Sequence, residues 1–269
     1  MINIDINVSI LLKEYPFHDR FAQAAKLGFN AVEFYWGPDL VPGEAAQRIV
    51  DAGLKVPAFN LDAGDMAAGD RGLLNDPRHK DRIMQNLPVA FDLAHRVGCK
   101  KLTALPGNFL PDEERERQLD RIRENFRWVC EEAKAEGITI MVEAINGFDN
   151  PAYPFTTTEE TISFMDSVGA DNLEYLYDIY HMQRMEGNIT STLEKHIDRI
   201  GHIQIADCPG RHFPGSGEIN YRQVFETIEK SGYKSYIGLE YIAENGTEES
   251  LAWLPQPLRR GIYLDSLFA

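Results

Sequence analysis

Short apolar runs alternate with longer amphipathic stretches along the whole chain. Runs rich in β-branched and aromatic residues predict strands, and stretches with an apolar residue every three or four positions predict helices. The predicted strands are 4–10, 31–36, 55–60, 101–105, 138–145, 173–180, 202–206 and 236–242. The predicted helices are 17–26, 43–52, 78–97, 112–136, 158–167, 189–197, 221–231 and 248–254. Each of the eight strands is therefore followed by a helix.

Most of the predicted helices end at a glycine that directly precedes the next apolar run. A helix C-terminus often needs a left-handed residue there, and glycine adopts that conformation without strain. The glycines in this position are Gly28, Gly53, Gly98, Gly137, Gly169 and Gly232. The fifth helix also has a capping-box start, formed by Thr157 and Glu160. The repeated strand–helix unit predicts an α/β fold, a single (β/α)8 TIM barrel, with an open doubly wound sheet as the alternative.

Length and charge narrow the class of protein. The chain of 269 residues fits one large barrel domain over 1–269, and no linker divides it. A short tail after about residue 255 has no assigned role.

The formal charge of −15 disfavours nucleic acids and anionic membranes as partners, so a small anionic substrate would need local cations. We expect a cytoplasmic protein, because the first residues lack a signal-peptide pattern and three cysteines form no disulfide framework. Assembly into a homo-oligomer stays open.

Four oxygen-bearing side chains interrupt the last four predicted strands. Strands of a parallel barrel are buried on both faces, and catalytic groups gather at their C-terminal ends. The interruptions are Glu143, Asp178, Gln204 and Glu240. Three carboxylates repel one another unless a cation lies among them, and oxygen donors suit Mg²⁺ or Mn²⁺ better than zinc. The alternative is that one or more of the four forms a structural ion pair with a lysine or an arginine.

Two further side chains lie close in sequence to these positions. His181 follows Asp178 by three residues, and Arg211 lies in a loop rich in glycine and proline after the seventh strand. An arginine can bind a carboxylate with two parallel hydrogen bonds. Arg211 is therefore a candidate for holding the carboxylate of an anionic substrate, although an isolated loop arginine is usually only solvated.

The chain around these positions resembles the hydroxypyruvate isomerase family, within the xylose isomerase-like barrel superfamily. The most specific stretches run from Tyr177 to Gly187, from Gly201 to Asp207 and from Pro214 to Tyr221. Further matches are 28–34, 60–65, 68–72, 142–146 and 238–241, so the resemblance covers nearly the whole chain.

The resemblance implies a role for each candidate residue. Glu143 and Glu240 would be the acid/base pair and would also bind the metal, with Asp178 and Gln204 as its other protein ligands. His181 and Arg211 match positions that contact substrate oxygens in related epimerases. Many relatives carry a second histidine where this chain has Gln204, which favours the hydroxypyruvate isomerase branch over the ketose 3-epimerases.

The implied reaction interconverts hydroxypyruvate and tartronate semialdehyde through an enediolate, with Mg²⁺ or Mn²⁺ as cofactor. A 2-oxo-tetronate isomerase and a ketose 3-epimerase are the alternatives with the same chemistry. A metal-dependent phosphodiesterase is an alternative from another class, but it would want several histidine ligands and a basic surface for DNA. A binding barrel without catalysis is disfavoured by the presence of both glutamates.

Overall fold

The computed structural model of the protein describes residues 1–269, and its centre is a parallel sheet of eight strands. These are β1 Asn3–Asn7, β2 Val32–Glu33, β3 Phe59–Asn60, β4 Lys101–Thr103, β5 Thr139–Glu143, β6 Leu173–Asp178, β7 Ile200–Ile205 and β8 Tyr236–Leu239. Their order is β2-β1-β8-β7-β6-β5-β4-β3. Parallel bridges join the two outer strands, Ala31 to Lys55 and Phe34 to Phe59, and so close the ring. The predicted barrel is confirmed, and the open sheet is wrong.

Ten helices surround the barrel or close its ends. They are α1 Asp19–Lys26, α2 Pro42–Asp51, α3 Lys80–Val97, α4 Arg115–Ala135, α5 Thr158–Val168, α6 Ile179–Met185, α7 Ile189–His196, α8 Tyr221–Ser231, α9 Thr247–Ser250 and α10 Leu264–Leu267. Short 3-10 helices lie at Pro77–His79, Ile197–Arg199 and Gln256–Leu258. All six glycines that were predicted at helix ends have a positive φ, and the capping box of Thr157 and Glu160 is present. None of the helices combines the length and apolar composition that a membrane crossing requires.

The sixth strand ends two residues earlier than its apolar pattern predicts. Asp178 is the last strand residue, and its Oδ1 accepts hydrogen bonds from the backbone N–H groups of Tyr180 (2.8 Å) and His181 (3.2 Å). A side-chain oxygen that satisfies these free N–H groups is a helix N-cap. The chain therefore turns at once into α6, and this turn aims His181 back toward the mouth of the barrel.

The tail after residue 255 packs against the N-terminal end of the barrel and then along α8. Ile262 and Ile2 exchange two backbone hydrogen bonds, of 2.8 and 3.0 Å. Arg259 Nη1 donates to the carbonyl of Leu27, at the end of α1. Phe268 then lies beside Phe225 of α8, with 6.4 Å between the ring centres. The tail thus covers the barrel end opposite to the carboxyl ends of the strands.

Candidate active site

The four predicted donors lie together at the carboxyl-terminal mouth of the barrel. Glu143 ends β5, Asp178 ends β6, and Glu240 directly follows β8. Gln204, on β7, is in register with Asp178 on one side and with Gly238 on the other. All four side chains are buried. The prediction that these strand ends meet at one mouth is therefore correct in position.

Arg211 reaches into this mouth from the loop after β7. Its Nη2 lies 3.3 Å from Asp178 Oδ2 and makes a close ion pair with Glu240 Oε1. The loop is fixed at this point, because the Arg211 carbonyl accepts a 2.7 Å hydrogen bond from the N–H of Ile242. The ion-pair alternative thus holds for two of the carboxylates. Glu143 has no lysine or arginine within 4.0 Å, so it needs another explanation.

The imidazole ring of His181 directs an N–H donor into the mouth of the barrel. Its Nδ1 accepts a hydrogen bond from the backbone N–H of Asn146 (3.2 Å) and lies 2.7 Å from the side-chain nitrogen of Asn146. A ring nitrogen that accepts cannot carry the proton, so in the neutral imidazole Nε2 carries it. Burial, with the charge of Arg211, lowers the pKa of His181 well below its usual value. Nε2 lies 3.6 Å from Asp178 Oδ2 and 4.0 Å from Glu143 Oε1, and it suits a substrate oxygen better than a metal ion.

The carboxyl groups at the mouth hold their protons unusually tightly. Burial raises the pKa of Glu143 well above its usual value, and the charges of Glu240 and Asp178 raise it further. Burial also raises the pKa of Glu240, to about 8, although Arg211 opposes the shift. Tyr35 donates a hydrogen bond to Glu240 Oε1. Carboxyl groups with such values exchange protons near neutral pH, as general acids and bases do.

The donors also fit a hard divalent cation. The side-chain oxygen of Gln204 is buried and has no hydrogen-bond partner. Asp178 uses Oδ1 to cap α6, which leaves Oδ2 directed toward Arg211. An unpartnered amide oxygen beside carboxylates that repel one another is the oxygen-rich set that Mg²⁺ and Mn²⁺ prefer.

A second polar cluster lies beside Gln204 inside the barrel, and its residues have no role among the predictions from sequence. It contains Asp5, Glu33 and His202, all buried. His202 Nε2 lies 2.7 Å from Glu33 Oε2 and 3.8 Å from Asp5 Oδ2. The direct contact between His202 and Glu33 leaves no room for an ion between those two atoms. The sequence held a signal for this cluster, because Asp5 and Glu33 are also charged residues within predicted strands.

A closed parallel barrel with buried acids at the carboxyl ends of its strands defines the class as a barrel enzyme with its site at that mouth. The family follows from comparison with known proteins. Residues 21–256 match the family model described as the xylose isomerase-like TIM barrel, and the chain belongs to this family. Hydroxypyruvate isomerase of Escherichia coli K12 is 39% identical over 254 residues, covering 94% of this chain and 98% of that protein. The 2-oxo-tetronate isomerase of Cupriavidus necator is 37% identical with the same coverage. The protein is an isomerase of this family.

Solved structures agree with the fold. A protein from Brucella melitensis described as an AP endonuclease of family 2 superposes with a TM-score of 0.88 at 33% identity, covering 94% of this chain and 98% of that one. An L-ribulose 3-epimerase superposes with a TM-score of 0.73 at 25% identity, covering 94% of this chain and 85% of its own.

Proposed function

We propose that the protein interconverts hydroxypyruvate and tartronate semialdehyde by moving a proton between adjacent carbon atoms. The observation that carries this proposal is the buried pair Glu143 and Glu240, whose carboxyl groups have raised pKa values and share one mouth with the cation of Arg211. Such a pair can take a proton from one carbon and return one to the next. The similarity to a hydroxypyruvate isomerase supports this choice of substrate.

Arg211 gives the mouth the positive charge that a three-carbon acid needs in a chain with a formal charge of −15. Its contacts with Asp178 and Glu240 use Nη2 alone, and the side chain is 22% exposed, so Nη1 remains as a donor for a substrate carboxylate. A carboxylate bound there would pair with a fixed guanidinium shielded from water, where charge-assisted hydrogen bonds are strong.

Glu143, Asp178, Gln204 and Glu240 would hold Mg²⁺ or Mn²⁺. The bound cation would supply electrostatic stabilisation for the negative oxygen that develops when the carbon loses its proton.

The side chains of the protein would carry the proton transfers. One glutamate removes a proton from the hydroxymethyl carbon of hydroxypyruvate, which leaves an enediolate. The other glutamate delivers a proton to the neighbouring carbon, and the former hydroxymethyl carbon becomes the aldehyde. The Nε2–H of His181 donates to a substrate oxygen and supports the shift of the hydroxyl proton between the two oxygens.

Two other activities need direct comparison because relatives bear their names. A 2-oxo-tetronate differs from hydroxypyruvate by one carbon, and the same side chains could act on it. An AP endonuclease activity, by which the Brucella melitensis protein is described, is disfavoured by the charge of −15 and by an amide, Gln204, among the donors.

Three buried cysteines without disulfides support a reducing compartment, and we propose that the enzyme is cytoplasmic.

A substrate panel with added Mg²⁺ or Mn²⁺ tests the proposal. It should contain hydroxypyruvate, 2-oxo-tetronates, ketohexoses and DNA with an abasic site. We expect the highest kcat/KM with hydroxypyruvate. A higher value for a four-carbon acid would move the assignment to the 2-oxo-tetronate isomerases, and turnover of DNA alone would overturn it.

Variants of the two glutamates test the mechanism. Glu143→Gln and Glu240→Gln keep the size and one oxygen but remove the base, so each should lower kcat by at least about 10²-fold. Glu131→Gln, on the exposed side of α4, is the matched control and should be unaffected. In deuterated water the product should carry deuterium at its new C–H bond. The two-base mechanism fails if both variants keep near-native kcat, or if single-turnover product contains no deuterium there.

A further inference from the structure

The amide of Gln204 can point either its oxygen or its NH₂ group into the mouth, and only the oxygen can bind a cation. Whichever group faces the mouth is set by the partner on the other side of the amide. We propose that Glu33 is a positioning residue that holds Gln204 with its oxygen toward the metal. This inference rests on the proposed metal site.

The contact between the two side chains fixes the orientation. Gln204 Nε2 donates to Glu33 Oε1 at 2.8 Å, and both side chains are buried. A carboxylate only accepts hydrogen bonds, so the NH₂ group must face Glu33. Gln204 Oε1 therefore points away from Glu33, and it is buried without a partner. A buried acceptor without a partner costs free energy that a ligand at that point would recover.

Glu33 is itself held by side chains from two other strands, the neighbouring β1 and the more distant β7. Its Oε1 also accepts from Asn7 Nδ2 at 3.0 Å, on β1, and its Oε2 accepts from His202 Nε2 at 2.7 Å, on β7. Gly238 of β8 provides the space, because a Cβ atom there would lie only 2.6 Å from Glu33 Oε1. The three hydrogen-bond donors, together with the space beside Gly238, hold the Glu33 carboxylate in one position. A residue that orients a metal ligand requires such a fixed position.

Replacing Glu33 by methionine removes the acceptor but keeps a side chain of similar length. The Gln204 amide could then rotate and turn its NH₂ group toward the ion. Loss of a residue that orients a metal ligand typically weakens metal binding about 10–100-fold, and we expect Glu33→Met to fall in this range. Glu33→Gln should lose less than about threefold, because the introduced amide oxygen can still accept from Gln204. His202 could then accept from the introduced NH₂ group, since its Nδ1 has no partner and can take the proton.

Mn²⁺ affinity, measured by electron paramagnetic resonance, tests this without relying on turnover. The proteins to compare are the wild type, Glu33→Met, Glu33→Gln, Gln204→Ala and the double variant Glu33→Met/Gln204→Ala. If Glu33 acts through Gln204, the double variant should bind Mn²⁺ as weakly as Gln204→Ala alone and no weaker. A merely structural role for Glu33 would weaken binding in both backgrounds by the same factor.

Each outcome supports or overturns a separate claim. Unchanged Mn²⁺ affinity in Glu33→Met, or losses that multiply in the double variant, overturns the inference while the metal site stands. If the wild type binds no Mn²⁺, both the metal site and the inference fail, whereas turnover of hydroxypyruvate by that protein would still support the isomerase. If Glu33→Met does not fold, Gly238→Ala displaces the same carboxylate. Its loss of Mn²⁺ affinity should likewise vanish in the Gln204→Ala background, and persistence there refutes the inference.

Discussion

Gly238→Ala should destabilise the protein, although an alanine normally suits a strand better than a glycine. A Cβ atom at this position would lie 2.6 Å from Glu33 Oε1, 2.7 Å from its Cδ and 2.8 Å from its Oε2. Ordinary carbon–oxygen contacts are about 3.3–3.6 Å, so the carboxylate must move by roughly 0.7 Å. The Glu33 carboxylate cannot move freely, because three hydrogen bonds of 2.7–3.0 Å hold it in place.

The expected cost combines two effects. Overpacking a buried site typically costs about 1–3 kcal/mol. Lengthening hydrogen bonds to a buried charged group adds about 1 kcal/mol or more. A total of about 2–4 kcal/mol should lower Tm by roughly 5–15 °C for a chain of this size.

Thermal unfolding followed by circular dichroism measures this shift. Gly43→Ala is the matched control, since this helical glycine has no positive φ and its Cβ would approach only Arg96 Nη1, at 3.7 Å. Because Gly43 lies in the first turn of α2, we expect the control to raise the free energy of unfolding by no more than about 1 kcal/mol. A Tm for Gly238→Ala within about 1 °C of the wild type would refute the reasoning, because Glu33 would then be free to move.

Three further predictions concern charge. Arg211→Met should lower kcat/KM for hydroxypyruvate at least about 30-fold, because truncating a desolvated charge pair costs about 2 kcal/mol or more; unchanged kinetics would assign carboxylate binding elsewhere. Mn²⁺ binding at neutral pH should release protons, because burial raises the pKa of Glu240 to about 8 despite the charge of Arg211, and a bound cation displaces the proton from the molecules that hold it; calorimetry in two buffers of different ionisation enthalpy would contradict this if the release is zero. Burial, with the charge of Glu33, raises the pKa of Asp5 well above its usual value, so the folded chain binds a proton that the unfolded chain releases, and stability falls as pH rises above about 4. The asparagine in Asp5→Asn cannot titrate, so in urea titrations the free energy of unfolding of this variant should rise relative to that of the wild type from about pH 5 to about pH 8. A difference in free energy that does not change with pH would contradict this.

The positions of the four donors could be predicted because a charged or amide residue in a strand buried on both faces stands out. In the structure Glu143 and Asp178 end their strands, Gln204 is the last but one residue of β7, and Glu240 directly follows β8. The strand lengths could not be predicted as well. The sequence predicts one strand over 31–36, but the strand is only Val32–Glu33, with isolated bridges at Ala31 and Phe34. An apolar pattern indicates burial rather than hydrogen bonding.

The role of Glu33 could not be predicted, although its charge within a predicted strand was a signal. Glu33 contacts Gln204 across 171 positions of sequence, through the closure of the barrel, and no local pattern encodes that contact. In β1, polar residues alternate with apolar ones at Asn3, Asp5 and Asn7, which also is typical of a strand with one face in water. The structure shows that Asp5 and Asn7 face the closed interior instead.

The hydrogen bonds between Ile2 and Ile262 bear on how the enzyme could be attached to a solid support. They hold the first residues at the end of the barrel opposite to the mouth, and the amino group of Met1 is exposed there beside Glu229. A tether at the N-terminus would therefore leave the mouth turned toward the solution. The C-terminal residues run along α8, where the carbonyl of Phe268 accepts from Arg222 at 2.8 Å, so a tether at that end would pull on this contact. An immobilised form of the enzyme is best built from the N-terminus.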